Sequence, residues 1–338
     1  MHTDFLEPGA SAWTEFLEET PHDFYHLPGY VELCARRDGG RAAAFLARDG
    51  EAAMLAPLVL RPIPASGWSD DTAPYGYPVP LFLGAPSPER MEALLLAFAQ
   101  AGAEEGLVSA FFRFHPLLPL PAGPFTRAGT LVAHGETVYL DLGLPMDELD
   151  RQTRVNHRAD AHRLLKRGFR VELDDWSRLG EFVAIYLETM GHCHAGASYR
   201  FDPSYFDELR GCLGERLHLC MVVAPGGEGA AGGLFTDVGG LMQFHLAGTR
   251  EAWRRDGPAK LMLLHMRDAA RAGGVQRLHL GGGVGCADDS LAFFKQGFSR
   301  LRGLFQTFRM ILLPQAYRDL SGSEPGATDT FFPAYRRP

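Results

Sequence analysis

A basic loop that leads into a predicted helix is the sharpest chemical feature of this sequence. Arg254 and Arg255 precede Gly257, and Pro258 suits the first position of the helix. The first turn of a helix presents backbone N–H groups and the positive end of its dipole, and Gly257 and Ala259 are small enough to let a phosphate approach. The loop predicts a polyanion site, with a capped helix and solvated arginines as the alternative. The predicted phosphate-binding residues are Arg254, Arg255, Gly257, Ala259 and Lys260.

The elements around this loop repeat an order that the first half of the chain also shows. Apolar periodicity in the second half predicts helices over 177–193 and 203–213, strands over 218–224, 230–237 and 241–248, a helix over 258–272 and a strand over 275–280. The first half predicts a helix over 30–37, strands over 42–48 and 52–60, a helix over 88–105 and strands over 107–114 and 138–142. This repeated order predicts a structural duplication.

A long basic helix is predicted between the two halves, from Pro145 to Arg167, with Gly168 closing it. Residues 151–170 contain seven Lys or Arg residues and one acid, Asp160. In an otherwise acidic chain this asymmetry indicates a surface for a polyanion, with a solvated helix face as the alternative. We place the domain boundary in this segment.

Length and composition limit the class of protein. The chain has 338 residues, 46% of them hydrophobic, and a net charge of −8 from 33 Lys and Arg against 41 Asp and Glu. These values predict about two globular domains, and they exclude a disordered, collagen-like or small disulfide-linked chain. The five scattered cysteines indicate reduced thiols and no zinc site. We expect a cytoplasmic protein, because the sequence shows no signal peptide and no apolar run long enough for a membrane span. The high content of Ala, Gly and Arg fits a bacterial source.

Several motifs resemble one enzyme superfamily. Arg254-x-x-Gly257-x-Ala259 resembles the (Q/R)xxGx(G/A) pyrophosphate loop of the GNAT acyltransferases. Other motifs are similar to the FemAB/FemX-like branch of that superfamily, and the resemblance runs from about residue 20 to 320. These motifs are Gly281-Gly282-Gly283, Asp289-Ser290-Leu291, Phe294-Lys295-Gln296-Gly297-Phe298, Tyr199-Arg200-Phe201-Asp202, Asn156-His157-Arg158, Tyr25-His26-Leu27-Pro28-Gly29-Tyr30 and Tyr75-Gly76-Tyr77-Pro78.

The resemblance implies an α/β fold with mixed sheets, built as two tandem GNAT-like domains that face a central cleft. Residues 1–148 are then the acceptor domain and residues 149–320 the acyl-donor domain, with a tail over 321–338 that we expect to pack on the first. The implied activity moves an aminoacyl group from aminoacyl-tRNA to the amine of a cell-wall precursor or natural-product intermediate. The chain lacks the coiled-coil arm of some cell-wall enzymes, and its pyrophosphate loop keeps acyl-CoA open as the donor. A non-catalytic protein that binds RNA or a partner is the third hypothesis.

The resemblance also suggests which residues do the chemistry. No nucleophile with an adjacent base is evident, so we expect direct attack of the amine on the acyl carbon, without a covalent intermediate. The Lys295 ammonium would stabilise the oxyanion and Phe294 would line the acyl pocket, with a surface lysine and a core phenylalanine as the alternatives. A proton acceptor could be His245 or the acids Asp288 and Asp289, with a structural histidine and helix caps as the alternatives. We expect no metal and no tightly bound cofactor, only aminoacyl-tRNA or acyl-CoA as co-substrate.

Two groups of residues are candidates for binding tRNA or the acceptor. The basic helix contributes Arg154, Asn156, His157, Arg158, Arg163, Lys166 and Arg167. The second group lies at predicted strand or loop ends and comprises Tyr75, Tyr77, Arg113, His115, Tyr199 and Arg200. Packing roles are the alternative for the tyrosines. The sequence leaves the acceptor and the oligomeric state open.

Overall fold

The computed structural model describes residues 1–193, 200–322 and 331–337, and divides the chain into two compact units. The first unit comprises Met1–His134 with Leu304–Pro338, and the second Gly135–Gly303. The predicted boundary, after residue 148, lies later in the chain than the division between His134 and Gly135. The reason is that the strand that ends at Asp141 pairs with Arg277 inside the second unit. Residues 304–320, predicted as part of the C-terminal domain, group with the first unit.

The first unit contains most of the predicted elements of the N-terminal half. Its elements up to residue 128 are β1 (His2–Leu6), α1 (Ser11–Glu18), α2 (Pro28–Arg37), β2 (Arg41–Asp49), β3 (Ala52–Pro62), β4 (Ser69–Asp71), β5 (Leu81–Leu83), α3 (Pro88–Glu104), β6 (Ser109–Arg113) and α4 (Ala122–Ala128). The β2–β3 hairpin at Asp49-Gly50 is confirmed, and Gly50 takes the left-handed conformation that the turn requires, at φ +61°. β1, β4 and β5 extend this hairpin into an antiparallel sheet.

The second unit carries the longer set of elements. β7 (Thr130–Asp141) enters it, and then follow α5 (Met146–Gln152), α6 (Val155–Lys166), β8 (Arg170–Leu173), α7 (Leu179–His192), α8 (Pro203–Leu213), β9 (Leu217–Val223), β10 (Gly229–Val238), β11 (Leu241–Thr249), α9 (Pro258–Ala272), β12 (Arg277–Gly281) and α10 (Ser290–Lys295). β13 (Leu301–Ile311) and α11 (Pro314–Ser321) complete the chain, and β13 pairs with β6 in the first unit. The core of the second unit lies between the sheet and the helices α6 and α9, around Leu164, Met262 and Leu278.

The predicted helix from Pro145 to Arg167 is in fact two helices, α5 and α6. Thr153 is extended, with φ −77° and ψ 128°, so the helix ends there. The backbone N–H of Arg154 donates to the Gly297 carbonyl at 2.8 Å instead of to its own helix. The break is therefore a tertiary effect. A six-residue 3-10 helix, Glu251–Asp256, also replaces the predicted open loop before α9.

The two units share the order of helix, hairpin, further strand, helix and strand, with two short strands (β4 and β5) after the hairpin in the first unit and β11 alone in the second, and the predicted mixed α/β class is confirmed. The two units differ in their parallel strand pairing. In the second unit β11 and β12 pair in parallel, whereas the described part of the first unit has a single parallel bridge, Ser69 to Leu107. Among the described residues, no helix has the length and apolar character that a membrane crossing requires.

We expect Gly248→Ala to destabilise the second unit and Gly211→Ala to spare it. A Cβ at Gly248 in β11 would lie 2.7 Å from the Ile185 carbonyl oxygen and 2.9 Å from the Thr189 hydroxyl on α7, whereas one at Gly211 in α8 would meet nothing within 4 Å. Urea unfolding should show a loss of roughly 1–3 kcal/mol for Gly248→Ala. It should show a gain of up to about 1 kcal/mol for Gly211→Ala. Equal stability of the two variants would contradict this packing.

Candidate active site in the second unit

The sheet of the second unit opens at one place. β11 and β12 are paired only from Leu241–Arg277 to Gln243–His279, after which β11 continues along β10 and β12 continues along β7. The Nδ1 atom of His279 donates to Gln243 Oε1 at 2.7 Å at the last paired position, and both side chains are buried. The strands therefore diverge from a fixed point, which leaves an opening between their carboxyl ends.

The glycine run after β12 is shaped by close backbone contacts. Gly281 is left-handed, at φ +76°. A Cβ at Gly282 would lie 3.0 Å from both the Glu136 carbonyl oxygen and Cys286 Sγ, and one at Gly283 would lie 2.2 Å from the Ala287 carbonyl oxygen. Larger residues would push this loop outwards, so the glycines fix the path from β12 to α10.

Lys295 ends α10 and its side chain turns back into this loop. It is 9% exposed, and its Nζ donates to the Gly282 carbonyl at 2.7 Å. That carbonyl is the only hydrogen-bond partner of Nζ in the described chain, so two N–H donors of the ammonium remain available. Burial lowers the pKa of Lys295 to about 8, although Cys286 and Asp289 both act to raise it. The surface-lysine alternative is wrong, because this lysine is buried.

Asp289 and Phe294 have structural contacts beside Lys295. The carboxylate of Asp289 accepts from the backbone N–H groups of Ala292 at 2.8 Å and Val284 at 2.9 Å, so it caps α10. Burial raises its pKa, but these backbone donors outweigh burial and hold the pKa below its usual range. Asp289 is therefore a poor proton acceptor, and the helix-cap alternative describes its contacts. The half-buried ring of Phe294 packs against Phe298 at 5.3 Å, and Asp288 is exposed.

His245 lies two residues beyond the last paired position of the fork. It is the extra residue of a β-bulge, because Leu246 pairs with Leu234 and Phe244 with Phe235. Its Nε2 is 3.4 Å from the hydroxyl of Tyr205 on α8, whose ring stacks on Phe201. A bulge beside the opening turns a half-buried histidine away from the regular pleat, so His245 stays a candidate proton acceptor.

In the predicted phosphate loop the two arginines are exposed, whereas the lysine is paired with an acid. Gly257 caps α9 in the left-handed conformation, at φ +69°, and no side chain caps the helix. Arg254 and Arg255 are exposed, and Arg254 lies 3.5 Å from Glu251. Lys260, however, donates to Asp160 of α6 at 2.5 Å, and Ala259 is half-buried. The acid of α6 therefore stands beside the start of α9.

The basic helix divides into an outer and an inner face. Asn156, Arg158 and Lys166 are exposed. The two charged residues, Arg158 and Lys166, make no ion pair within the described residues. Arg163 pairs with Asp160 at 2.9 Å and Arg167 pairs with Asp256. Only part of the predicted cationic surface is therefore unpaired.

His157 corrects the sequence interpretation of the basic helix. It is 3% exposed, and its ring lies between Phe298 at 4.7 Å and Phe294 at 5.6 Å. Burial, with help from Lys260 and Arg154, lowers its pKa to about 4. A buried neutral imidazole cannot contact phosphates as a surface cation would. Arg154 also points to α10 rather than outwards, since its Nη1 donates to the Phe293 carbonyl at 2.9 Å.

The candidates of the first unit form a packed aromatic and histidine cluster. Tyr77 packs against Tyr25 and His115, with ring centroids 5.6 and 6.0 Å apart. The Nδ1 atom of His115 accepts from the Leu117 N–H at 3.0 Å, so its Nε2 donates to the buried Asp23 at 2.8 Å. With both ring nitrogens engaged, His115 is a structural residue.

Arg113 and Tyr75 are tied to neighbouring backbone in the same unit. Nη1 of Arg113 donates to the carbonyls of Thr72, Ala73 and Pro74 at 3.2–3.4 Å, and burial lowers its pKa. The Tyr30 hydroxyl donates to the Tyr75 carbonyl at 2.8 Å, and Arg37 lies over the Tyr75 ring. These contacts hold the loop over residues 72–75 in place.

Tyr199 lies outside the described residues, and the neighbouring Arg200 is exposed. The sequence assigned no role in the site to Tyr205, to the Gly282 carbonyl or to Asp160, although all three residues lie in or beside the motifs. The bulge that places His245 next to Tyr205 has no local sequence signal. The described chain contains no group of three or more His, Cys, Asp or Glu residues arranged to hold a metal ion.

Comparisons with known proteins identify the fold and a domain within it. Residues 151–290 match the family described as Acetyltransferase (GNAT) domain. FemX has the same fold, with a TM-score of 0.72 and 16% identity over 95% of this chain and 100% of its own. L-PGS from Bacillus licheniformis gives a TM-score of 0.56, with 15% identity over 90% of this chain and 92% of its own. The C-terminal domain of a putative lysylphosphatidylglycerol synthetase from Agrobacterium fabrum gives 0.57, with 14% identity over 88% of this chain and 90% of its own. No curated protein sequence matches this chain.

Residues 151–290 therefore form an acyltransferase domain of the GNAT class. The chain as a whole has the fold of FemX, so the predicted resemblance is confirmed at the level of the fold.

We expect Lys295→Met to leave the fold at least as stable as the parent at pH 7. A pKa lowered from 10.5 to about 8 means that the folded state carries the buried charge at a cost of roughly 3 kcal/mol. Chemical unfolding at pH 7 should therefore show an equal or higher free energy for Lys295→Met. Lys166→Met, at an exposed site, is the control.

The pH dependence provides a second measurement. Between pH 8 and 10.5 the unfolded lysine binds a proton that the folded one has lost, so Lys295 makes the parent more stable as pH rises. Lys295→Met should lose this contribution and Lys166→Met should keep it. A clear loss of stability in Lys295→Met at pH 7 would show that the ammonium is a net structural contact.

Proposed function

We propose that this chain is an amide-forming aminoacyltransferase that moves an aminoacyl group from aminoacyl-tRNA to an amine. The observation that carries the proposal is Lys295. It is a buried ammonium beside the opening of a GNAT fold, with one donor on the Gly282 carbonyl and no carboxylate within ion-pair distance in the described chain. Such a cation is costly to bury, and it is suited to a substrate oxygen that becomes negative during the reaction.

The reaction needs few protein groups. The acceptor amine attacks the ester carbon of the aminoacyl group, the carbonyl oxygen becomes an oxyanion, and the C–O bond to the tRNA ribose then breaks as the amide forms. The two available donors of Lys295 would stabilise the oxyanion, and the ribose oxygen leaves with the proton that the attacking nitrogen gives up. His245, with Tyr205 at 3.4 Å, is our candidate to accept the ammonium proton of the attacking amine.

The charges on α6 and α9 support tRNA as the donor. At the start of α9, Lys260 and Arg167 are already paired with Asp160 and Asp256, so a CoA pyrophosphate would have to displace two carboxylates. Arg158 and Lys166 on the outer face of α6 make no ion pair in the described chain, and exposed cations on one helix suit an RNA backbone.

An acyl-CoA-dependent N-acyltransferase is the second candidate, favoured by a specific observation. Gly257 keeps the left-handed cap at the start of α9, the helix has no side-chain cap, and Arg254 and Arg255 are exposed next to it. These features preserve the elements of a pyrophosphate loop.

The alkaline limb of the pH–rate profile tests the role of Lys295. In single-turnover transfer from aminoacyl-tRNA, the rate should fall as pH rises through about 8, because the ammonium loses its charge there. Lys295→Met should lower the rate about 10²–10³-fold. Lys295→Arg, which stays charged, should move the alkaline limb to higher pH. A Lys295→Met variant with parental rate would overturn this role.

The donor class is tested by binding. Charged tRNA should bind, and the double change Arg158→Gln with Lys166→Gln should reduce the slope of log affinity against log salt by about 1–2. Arg151→Gln, exposed and paired only within α5, is the control. Calorimetric binding of acetyl-CoA or a longer acyl-CoA, with no tRNA binding at low salt, would establish the second candidate instead.

A further inference from the structure

We propose that Arg154 is a positioning residue that fixes the carboxyl end of α10, and through it the Lys295 ammonium, rather than a contact for RNA phosphates. The proposal rests on the proposed function only in that Lys295 serves the reaction. Its structural part concerns where the ammonium is held, and it can be measured without substrate.

Helix α10 cannot set the position of Lys295 alone. It has six residues, and helices shorter than about 12 residues are marginal without external contacts. Its last carbonyls need partners from elsewhere, as do its first N–H groups. Asp289 supplies the partner at the amino end, through its bonds to Ala292 and Val284. The direction in which Lys295 points therefore depends on what holds the other end.

Arg154 supplies three contacts at that other end. Its backbone N–H donates to the Gly297 carbonyl at 2.8 Å, and its Nη1 donates to the Phe293 carbonyl at 2.9 Å. Its guanidinium also lies 3.8 Å from the centroid of the Phe293 ring, which is 62% exposed. A cation is favoured at the negative end of a helix, and the stacked ring keeps the guanidinium in that place.

His157, which lies on α6, limits how α10 can move. The His157 ring is packed so closely against Gly297 that a Cβ there would lie 2.0 Å from His157 Cε1. Gly297 follows Lys295 by two residues, and the His157 ring also lies 5.6 Å from that of Phe294, the residue before Lys295. With Asp289 at one end and Arg154 and His157 at the other, α10 is held at both ends, and the Lys295 side chain reaches the Gly282 carbonyl.

Loss of the Arg154 side chain should therefore act on Lys295. The Phe293 carbonyl would lose its donor, the end of α10 would loosen, and the ammonium would gain water. Cys286 and Asp289 are the titratable groups that act on Lys295, and both raise its pKa, so reduced burial would bring the pKa back towards 10.5. An RNA contact at Arg154 would have no such effect.

The test measures Arg154→Gln, Arg154→Lys and Arg158→Gln beside the parent. The pKa of Lys295 is read from the pH dependence of its labelling by acetic anhydride, with mass spectrometry of the peptide. We expect Arg154→Gln to raise this pKa by at least one unit and to lower kcat about 10–100-fold, with KM for aminoacyl-tRNA nearly unchanged. Arg154→Lys should recover part of both effects, because it keeps a cation at the helix end. Arg158→Gln should raise KM and leave the Lys295 pKa unchanged.

Two results would overturn the proposal. One is an Arg154→Gln variant whose KM rises while kcat and the Lys295 pKa stay at parental values, which is the behaviour of a phosphate contact. The other is the same Lys295 pKa, read from labelling, in Arg154→Gln and Arg158→Gln. That result would overturn the proposal even if the parent protein transfers nothing from tRNA. If Arg154→Gln does not fold, Phe293→Leu removes the ring under the guanidinium and keeps both backbone carbonyls. An unchanged Lys295 pKa in that variant would then overturn the proposal.

Discussion

The buried ammonium of Lys295 on the Gly282 carbonyl is the constraint on which the rest of the site depends. A cation removed from water needs either a counter-ion or a rigid set of dipoles. Within the described residues this one has a single backbone carbonyl, and burial lowers its pKa to about 8. The surroundings are built accordingly. Three consecutive glycines bring the carbonyl into reach, Asp289 caps the short helix that carries the lysine, and α6 packs against the far end of that helix.

Helix α6 joins the two halves of this site. Its first residues contact α10 through Arg154 and His157, and its later residues contact the start of α9 through Asp160 and Arg167. The lysine and the phosphate loop are therefore held by one element, although they are separated by more than thirty residues of chain. The ion pairs at α9 also mean that any anionic donor must compete with carboxylates of the protein.

The fold and the site give information on different aspects of the function: the class of reaction and the choice of donor. The GNAT match over residues 151–290 gives the class of chemistry, and the similarity to FemX gives the fold. Identities of 14–16% with the proteins compared do not transfer a substrate. The charges of this chain bear on the donor instead: which cations are paired, which are exposed, and which one is buried.

The sequence by itself determined most of the elements and the motif that contains Lys295. Apolar periodicity, the Asp49-Gly50 turn and Pro258 are local signals, so the hairpin, α8 and α9 follow from them, whereas the mixed α/β class came from the resemblance of the motifs to a known superfamily. Tertiary structure decided which charges face outwards. Arg154 and His157 look like their neighbours in a basic stretch, but a chain segment 140 residues away turns them inwards, breaks the predicted helix at Thr153 and leaves His157 neutral. Burial and pairing are properties of the packed chain, and residue type and spacing do not encode them locally.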